Sequence, residues 1–533
     1  MSQVLRPPSV GPIVGHTTAT SARLWMRGAD NMHDARSVGV AVRFEGGRPV
    51  RETATYFRLH REYDRTGTVD FDDLTPATLY TVRMGSLLMD SVDPDLLASD
   101  DEVTRRLPAA SVWAEDLARL EPELAEARFT TFPAAGGALS FMFGSCRYPG
   151  LLLWKKRADE IFHAMKGHLD DPGGRAPPGF VLMVGDQIYA DKLHRLIPLE
   201  RADTPREFHD RYIEAFSSPY IRRLMRSIPT YMILDDHEIE DNWKQNRINE
   251  DAKRSLFQLA IHAYLGYQWV HGPRNNGLEM ARGDGLDAPG GADLSSRVKR
   301  LYYTFEYGNL PFFVLDTRSQ RVQFDDAARV NTNHILGYPA KSSDSEFRGQ
   351  VDVFCDWLAR MQKERGDLPK FVVSASVFVP NGVQEIGGDA HRSDSWAAFP
   401  TTRRRILKTI LESGVQNVVF LCGDVHCSIV AEMTFTSREK GLLPLRAFCI
   451  TSSAFYWPFP FADGSPLSFV HDSMVEGDGF DVDGAVTMHY RASHFEQDDN
   501  FTLVTHDAAK NELHVEVFSR KHEQLQDASL KLG

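Results

Sequence analysis

At 533 residues the chain is long enough for two or three domains of about 150 residues each, with ample buried core. Its composition, 42% hydrophobic and 25% charged, is that of an ordinary globular protein, and no apolar run approaches the roughly 18 residues of a membrane span. A net charge of -13 argues against nucleic-acid binding, which needs a basic face to neutralise phosphates.

The N-terminal stretch "MSQVLRPPSVGPIVGHTTATS" has neither a basic start followed by an apolar core nor a twin-arginine pattern, so a cytoplasmic location is expected. Five cysteines, Cys146, Cys355, Cys422, Cys427 and Cys449, form no C-x-x-C pair. That argues against a disulfide framework or a zinc ribbon and for small core residues.

Residues 8–134 open with short segments rich in β-formers, "SARLWMRG", "VGVAVRFEG" and "ETATYFRL", separated by Gly, Asn and Asp, which predicts a β-sandwich. "DLTPATLYTV" adds a turn and then Tyr80 entering a strand, similar to the tyrosine corner of fibronectin type III-like domains. A helical, acidic insertion near 93–126 precedes a last strand in "ARFTTFP".

After "PAAGG" the pattern becomes apolar runs alternating with long helical stretches, as a layered α/β domain requires. Strands are predicted in "LSFMF", "FVLMV", "TYMIL", "PFFVL", "FVVSASVFV" and "NVVFL", and helices over 151–167, 205–226, 250–270 and 345–364. "NFTLVTHD" and "ELHVEVFS" read as edge or return strands. Arg403, Arg404 and Arg405 begin an amphipathic helix and read as its solvated face. Segments 273–298, 191–196 and 387–396 read as plain surface first and as candidate pocket walls second.

In open α/β sheets ligands bind beyond the carboxyl ends of the strands. There the sequence places Ser145 and Cys146; Gly185, Asp186 and Tyr189; Asp235, Asp236, His237 and Glu238; Asp316 and Arg318; Gly423, Asp424 and His426. Of the chain's six Gly-Asp pairs, only Gly185-Asp186 and Gly423-Asp424 follow such a run. Each of these residues alone could be an ordinary packed side chain. Together, carboxylates gathered at adjacent strand ends would be costly without a cation, which points to a metal site.

These residues resemble the PhoD-like (alkaline phosphatase D) branch of the calcineurin-like metallophosphoesterases, through "GSC" at 144–146, "GDQIYAD" at 185–191, "DDHEIEDNW" at 235–243, "LDTRSQR" at 315–321 and "GDVH" at 423–426. The resemblance implies an α/β fold: a four-layer αββα metallophosphoesterase sandwich over 138–525, preceded by a fibronectin type III-like β-sandwich over 8–134. It implies a di- or trinuclear metal centre. Asp186 resembles the bridging carboxylate and Tyr189 the phenolate ligand of a ferric ion, as also found in purple acid phosphatases. Cys146 and His426 complete that site, and Asp186, Asp236 and Asp424 hold a second metal. Thiolate and phenolate suit Fe(III), and oxygen-only ligation suits Ca(II), with Mn or Mg, and less readily Zn, as alternatives.

His237 would face the substrate phosphate or leaving group. Arg147, where the family often has Gln, reads as a phosphate fork or a rim salt bridge. The implied activity is metal-dependent hydrolysis of a small-molecule phosphate monoester. Two alternatives stand: a phosphodiesterase of phospholipase D type, and a noncatalytic partner-binding protein whose metal only stabilises it. The oligomeric state is left open.

Overall fold

Phe141 and Phe143 face one core while Met142 between them faces another, and Phe180, Leu182 and Val184 alternate with Val181 and Met183 in the same way. A strand buried on both faces needs apolar residues at every position, so these segments read as continuous runs.

The computed structural model of the chain describes residues 4–30, 37–88, 104–150, 155–191, 201–273, 301–339, 349–382, 390–459 and 466–533. It is a mixed α/β fold with several sheets. A six-stranded sheet has the order Thr230–Ile233, Pro178–Val184, Leu139–Gly144, Asn500–Asp507, Glu512–Ser519, Gln524–Lys531. Its first three strands run parallel and the rest pair antiparallel. A nine-stranded sheet holds Leu310–Val314, Lys370–Ser374, Val418–Cys422 and Ala447–Ser452 as a parallel block.

One core contains side chains of both large sheets, Phe141 and Phe180 with Phe312 and Phe371, whose rings stack or meet edge to face. The outer face of the six-stranded sheet packs on helices Lys155–Asp170, Pro205–Ser217, Pro219–Met225 and Asp251–Tyr267. That of the nine-stranded sheet packs on Gln350–Arg365 and Pro400–Glu412. Among the described residues no helix is long and apolar enough to cross a membrane.

At the N-terminus, strands Val10–Thr17, Ala22–Arg27 and Thr66–Phe71 form one small sheet, and Leu79–Leu88 pairs with Ser37–Glu45 in another. They share a core of Leu24, Val69, Val82 and Phe129. The Tyr80 hydroxyl accepts the Thr75 N–H at 2.8 Å, the bond expected of a corner tyrosine. Trp25 ties this region to the rest: its indole N–H donates to the Gly266 carbonyl at 2.8 Å.

Several boundaries differ from the sequence reading. The helix expected over 205–226 breaks at Ser218, whose backbone is extended because Pro219 follows; its start is fixed by the Thr204–Glu207 capping box. The strand expected through "FVVSASVFV" stops at Ser374. Asn500–Asp507 and Glu512–Ser519 are interior return strands rather than edges, because Gln524–Lys531 covers them. Arg403 is not on a solvated face. It is 1% exposed, both terminal nitrogens donate to Asn381 Oδ1 at 3.0 Å, and it lies over the Phe378 and Phe480 rings. All five cysteines are free and buried. Most of segment 273–298 and of 191–196 lies outside the described residues.

Candidate metal centre at the strand ends

The two Gly-Asp pairs have a steric cause. Gly185 has φ +94, and a Cβ there would lie 2.5 Å from Asp235 Cβ. At Gly423 it would lie 2.6 Å from both the Val184 carbonyl oxygen and Ser145 Oγ. Only glycine lets the strand ends approach this closely, within the six-stranded sheet at Gly185 and between the two large sheets at Gly423. Just beyond them Cys146, Asp186, Asp424 and His426 all have positive φ, between 53° and 80°. Non-glycine residues in this region cost energy and cluster where geometry serves function.

Asp186 lies at the centre of the first group. Its Oδ2 is 3.3 Å from Cys146 Sγ and 3.5 Å from the Tyr189 hydroxyl, and its Oδ1 accepts the His237 N–H at 3.4 Å. Asp186, Asp236 and His237 offer ligand atoms within 4.8 Å of one another. His237 Nδ1 is 2.8 Å from Asp191 Oδ1, and its ring stacks on Tyr189. His426 joins through Ser453, whose hydroxyl accepts the His426 N–H at 3.1 Å and lies 3.1 Å from Cys146 Sγ. The His426 ring stacks on Trp457 at 3.7 Å.

Asp235, Asp236 and Asp424 form a second group, also within 4.8 Å. The fully buried Arg318 pairs with Asp235 and Asp394, and its Nη2 is 3.5 Å from Asp236 and 4.0 Å from Asp424. Arg321 pairs with Asp394 as well. The cluster reaches solvent on this side, where the Asp424 and Asp394 side chains are 18% and 19% exposed.

Arg318 and Arg321 do not balance this charge. Burial, opposed by His237 but helped by Asp236 and Asp235, holds the Asp186 carboxyl well above the usual carboxylate range. Burial and then Asp394 and Asp235 do the same to Asp424, while burial, despite Arg318, pushes Asp235 up to about 7. Burial would lower His237, but Asp191, Asp236 and Asp186 outweigh it and raise it. Buried Asp235 Oδ2 and Asp236 Oδ1 accept no hydrogen bond among the described residues. Carboxyls that would rather be protonated, one of them beside a thiol and a phenol, together with two buried oxygens that accept no hydrogen bond, fit a bound metal.

The structure thus brings Cys146, Asp186, Tyr189, Asp236, His237 and Asp424 together, with His426 linked through Ser453. The two groups overlap at Asp236. Of the two roles expected of Arg147, the structure shows a salt bridge, to Asp159, and it is buried rather than at a rim. Buried at 5% exposure, its guanidinium donates to the Ala215 carbonyl at 2.5 Å, sits 3.4 Å from Asp159 and lies over Phe162. These contacts brace helices, and its backbone N–H donates to the Asp186 carbonyl at 3.1 Å.

Sequence reasoning missed Asp394 and Trp457 and assigned no role to Asp191, Asp235 or Arg318. The last two stand in the motifs "DDHE" and "LDTR", so a signal existed for them. Asp394, in the segment read as surface or pocket wall, had none.

A layered α/β protein with a buried cluster of metal-ligand side chains at its strand ends is the class that fold and site define. The family model for PhoD-like phosphatase matches residues 155–455, more than half of the chain, which therefore belongs to that family. The match encloses every candidate ligand except Cys146. Alkaline phosphatase D of Bacillus subtilis (strain 168) is 26% identical over 313 residues, 56% of this chain and 48% of that protein. The chain thus aligns with about half the length of this curated relative. A solved structure described as that of PhoD superposes with a TM-score of 0.59 at 16% identity, covering 98% of this chain and 92% of that one. At that identity the likeness concerns the fold.

Proposed function

We propose that this chain hydrolyses small-molecule phosphate monoesters at a di- or trinuclear metal centre. The observation that carries the reading is the convergence of Asp186, Asp236, His237 and Asp424 into two overlapping ligand groups, in a chain of the PhoD-like phosphatase family. The helix-covered pair of large sheets is read as a four-layer αββα sandwich over 138–525, and residues 8–134 as a fibronectin type III-like sandwich.

Cys146, Asp186, Tyr189 and His426 would hold one ion, with Fe(III) suited to thiolate and phenolate. Asp236 and Asp424, with Asp186, would hold another, with Ca(II) suited to the all-oxygen set. The bound ions would supply Lewis-acid charge against the phosphoryl oxygens and acidify water toward a pKa of about 7. Asp191 fixes the His237 ring through Nδ1. That orientation leaves Nε2 as the atom through which His237 would give a proton to the leaving oxygen. The mixed Cys, Asp, Tyr and His set supports a catalytic over a purely structural site, since structural sites tend to close with Cys and His.

The test compares turnover of an aryl phosphate monoester and its bis-aryl diester by protein reconstituted with iron and calcium. Monoester preference is the expected result, whereas diester preference would replace it with the phosphodiesterase reading, and no turnover of either would end both. For the iron assignment, the loaded protein is expected to absorb visible light through a ferric tyrosinate, and Tyr189→Phe to lose or shift that band. A colourless, fully active protein would overturn the iron assignment while leaving hydrolysis intact.

A further inference from the structure

We propose that Glu238 is the positioning residue that aims the carboxylates of both ligand groups. The inference rests on the hydrolase reading for its functional consequence, but its geometry stands independently. Glu238 is fully buried, and its two oxygens accept four hydrogen bonds. Oε2 accepts the backbone N–H groups of Asp235 at 2.9 Å and Asp186 at 3.2 Å; Oε1 accepts the backbone N–H of Gln187 at 2.8 Å and Gln268 Nε2 at 3.1 Å. A carboxylate has about four lone-pair sites, so its accepting capacity is used up by these donors.

The donors identify the role. Three are main-chain amides at or beside candidate ligands, and they belong to two loops, one after strand Pro178–Val184 and one after Thr230–Ile233. A single side chain therefore ties the loop carrying Asp186 and Tyr189 to the loop carrying Asp235 and Asp236. The fourth donor, Gln268, is itself held 3.1 Å from the Tyr212 hydroxyl, which anchors the clamp to the helical layer outside the sheet.

Asp186 needs such a clamp. Its φ of 56° is a strained setting for a residue with a side chain. An accepted N–H bond on Asp186 and another on Gln187 hold that peptide segment where relaxation would swing the carboxylate away from Asp236. Charged acceptors make the strongest bonds to backbone amides, which accounts for a carboxylate here. Glutamine in its place would turn one NH2 group toward N–H donors.

Two substitutions and two readouts test this. In Glu238→Gln the affinity for Mn(II), used as the probe, is expected to fall about 10- to 100-fold, the usual effect of losing a residue that orients metal ligands. In the metal-free protein, amide hydrogen exchange across 183–191 and 233–241 is expected to accelerate at least about tenfold, while exchange elsewhere stays as in the parent. Glu238→Asp keeps the charge but is one methylene too short to reach both loops. It should show the same pattern, and it decides the matter if Glu238→Gln does not fold.

Parental Mn(II) affinity or parental exchange in a folded variant would overturn the proposal. A parent that binds Mn(II) but cleaves no phosphoester would overturn the hydrolase reading and leave the clamp in place. A parent that cleaves esters while the variants bind Mn(II) unchanged would do the reverse, and a parent that takes up no Mn(II) overturns the clamp's role in metal binding, while turnover by the iron- and calcium-loaded protein decides the hydrolase reading separately.

Discussion

Asp424→Ala is expected to lower phosphoester turnover about 1,000-fold or more and to reduce bound metal, without unfolding the chain. Residues that only orient a metal ligand typically contribute 10- to 100-fold. A direct ligand on the all-oxygen side should exceed that. Stability should move the other way. In the metal-free protein Asp424 shares a buried patch with Asp235, Asp236 and Asp394, and removing one of several like-charged groups relieves repulsion. The metal-free variant should therefore melt no lower than the metal-free parent. Metal analysis, a thermal melt and the monoester assay on the same preparation check all three effects, and a variant with parental turnover would remove Asp424 from the site.

Arg318→Met should have the largest effect on stability. The guanidinium is fully buried, pairs with Asp235 and with both oxygens of Asp394, and lies 3.5 Å from Asp236. Methionine fills much of the stem's volume but leaves Asp235 without its paired cation and Asp394 with Arg321 alone. Breaking a buried ion pair on one side costs about 3–5 kcal/mol, and this arginine serves more than one partner. The loss should be greatest in metal-free protein and smaller with metal bound, because bound cations take over part of the compensation. Urea denaturation with and without metal measures both values. A loss below about 1 kcal/mol in the metal-free form would mean that Arg318 does not neutralise the cluster.

The contrast between Arg318 and Arg147 shows which parts of the site were legible. Both follow apolar strands and both read as charged groups near the chemistry. Arg318 does face the carboxylates, but its partners lie 83 and 76 residues away, at Asp235 and Asp394. Arg147 finds its carbonyl partner 68 residues away, at Ala215 in helix Pro205–Ser217. The local pattern is the same in both, and the direction in which each side chain leaves the strand end differs. Arg403 was misread for the same reason, since the rings that cover it come from elsewhere in the chain.

By itself, the amino-acid sequence determined that this protein has a layered α/β body behind an N-terminal β-rich region, and that Asp186, Tyr189, Asp236, His237, Asp424 and His426 stand just past strand ends. Those properties are local. A doubly buried strand must be apolar throughout, and the chain can turn tightly between crowded strand ends only at glycine, so both leave marks within a few residues. Only the tertiary structure decided that Asp236 is common to two ligand groups, that Arg318 and Asp394 lie against them, that Glu238 bonds two loops together, and that Arg147 turns away. Each depends on which distant segments meet across the two sheets, and electrostatic and hydrogen-bond partners are chosen by proximity in space, on which sequence separation places almost no constraint.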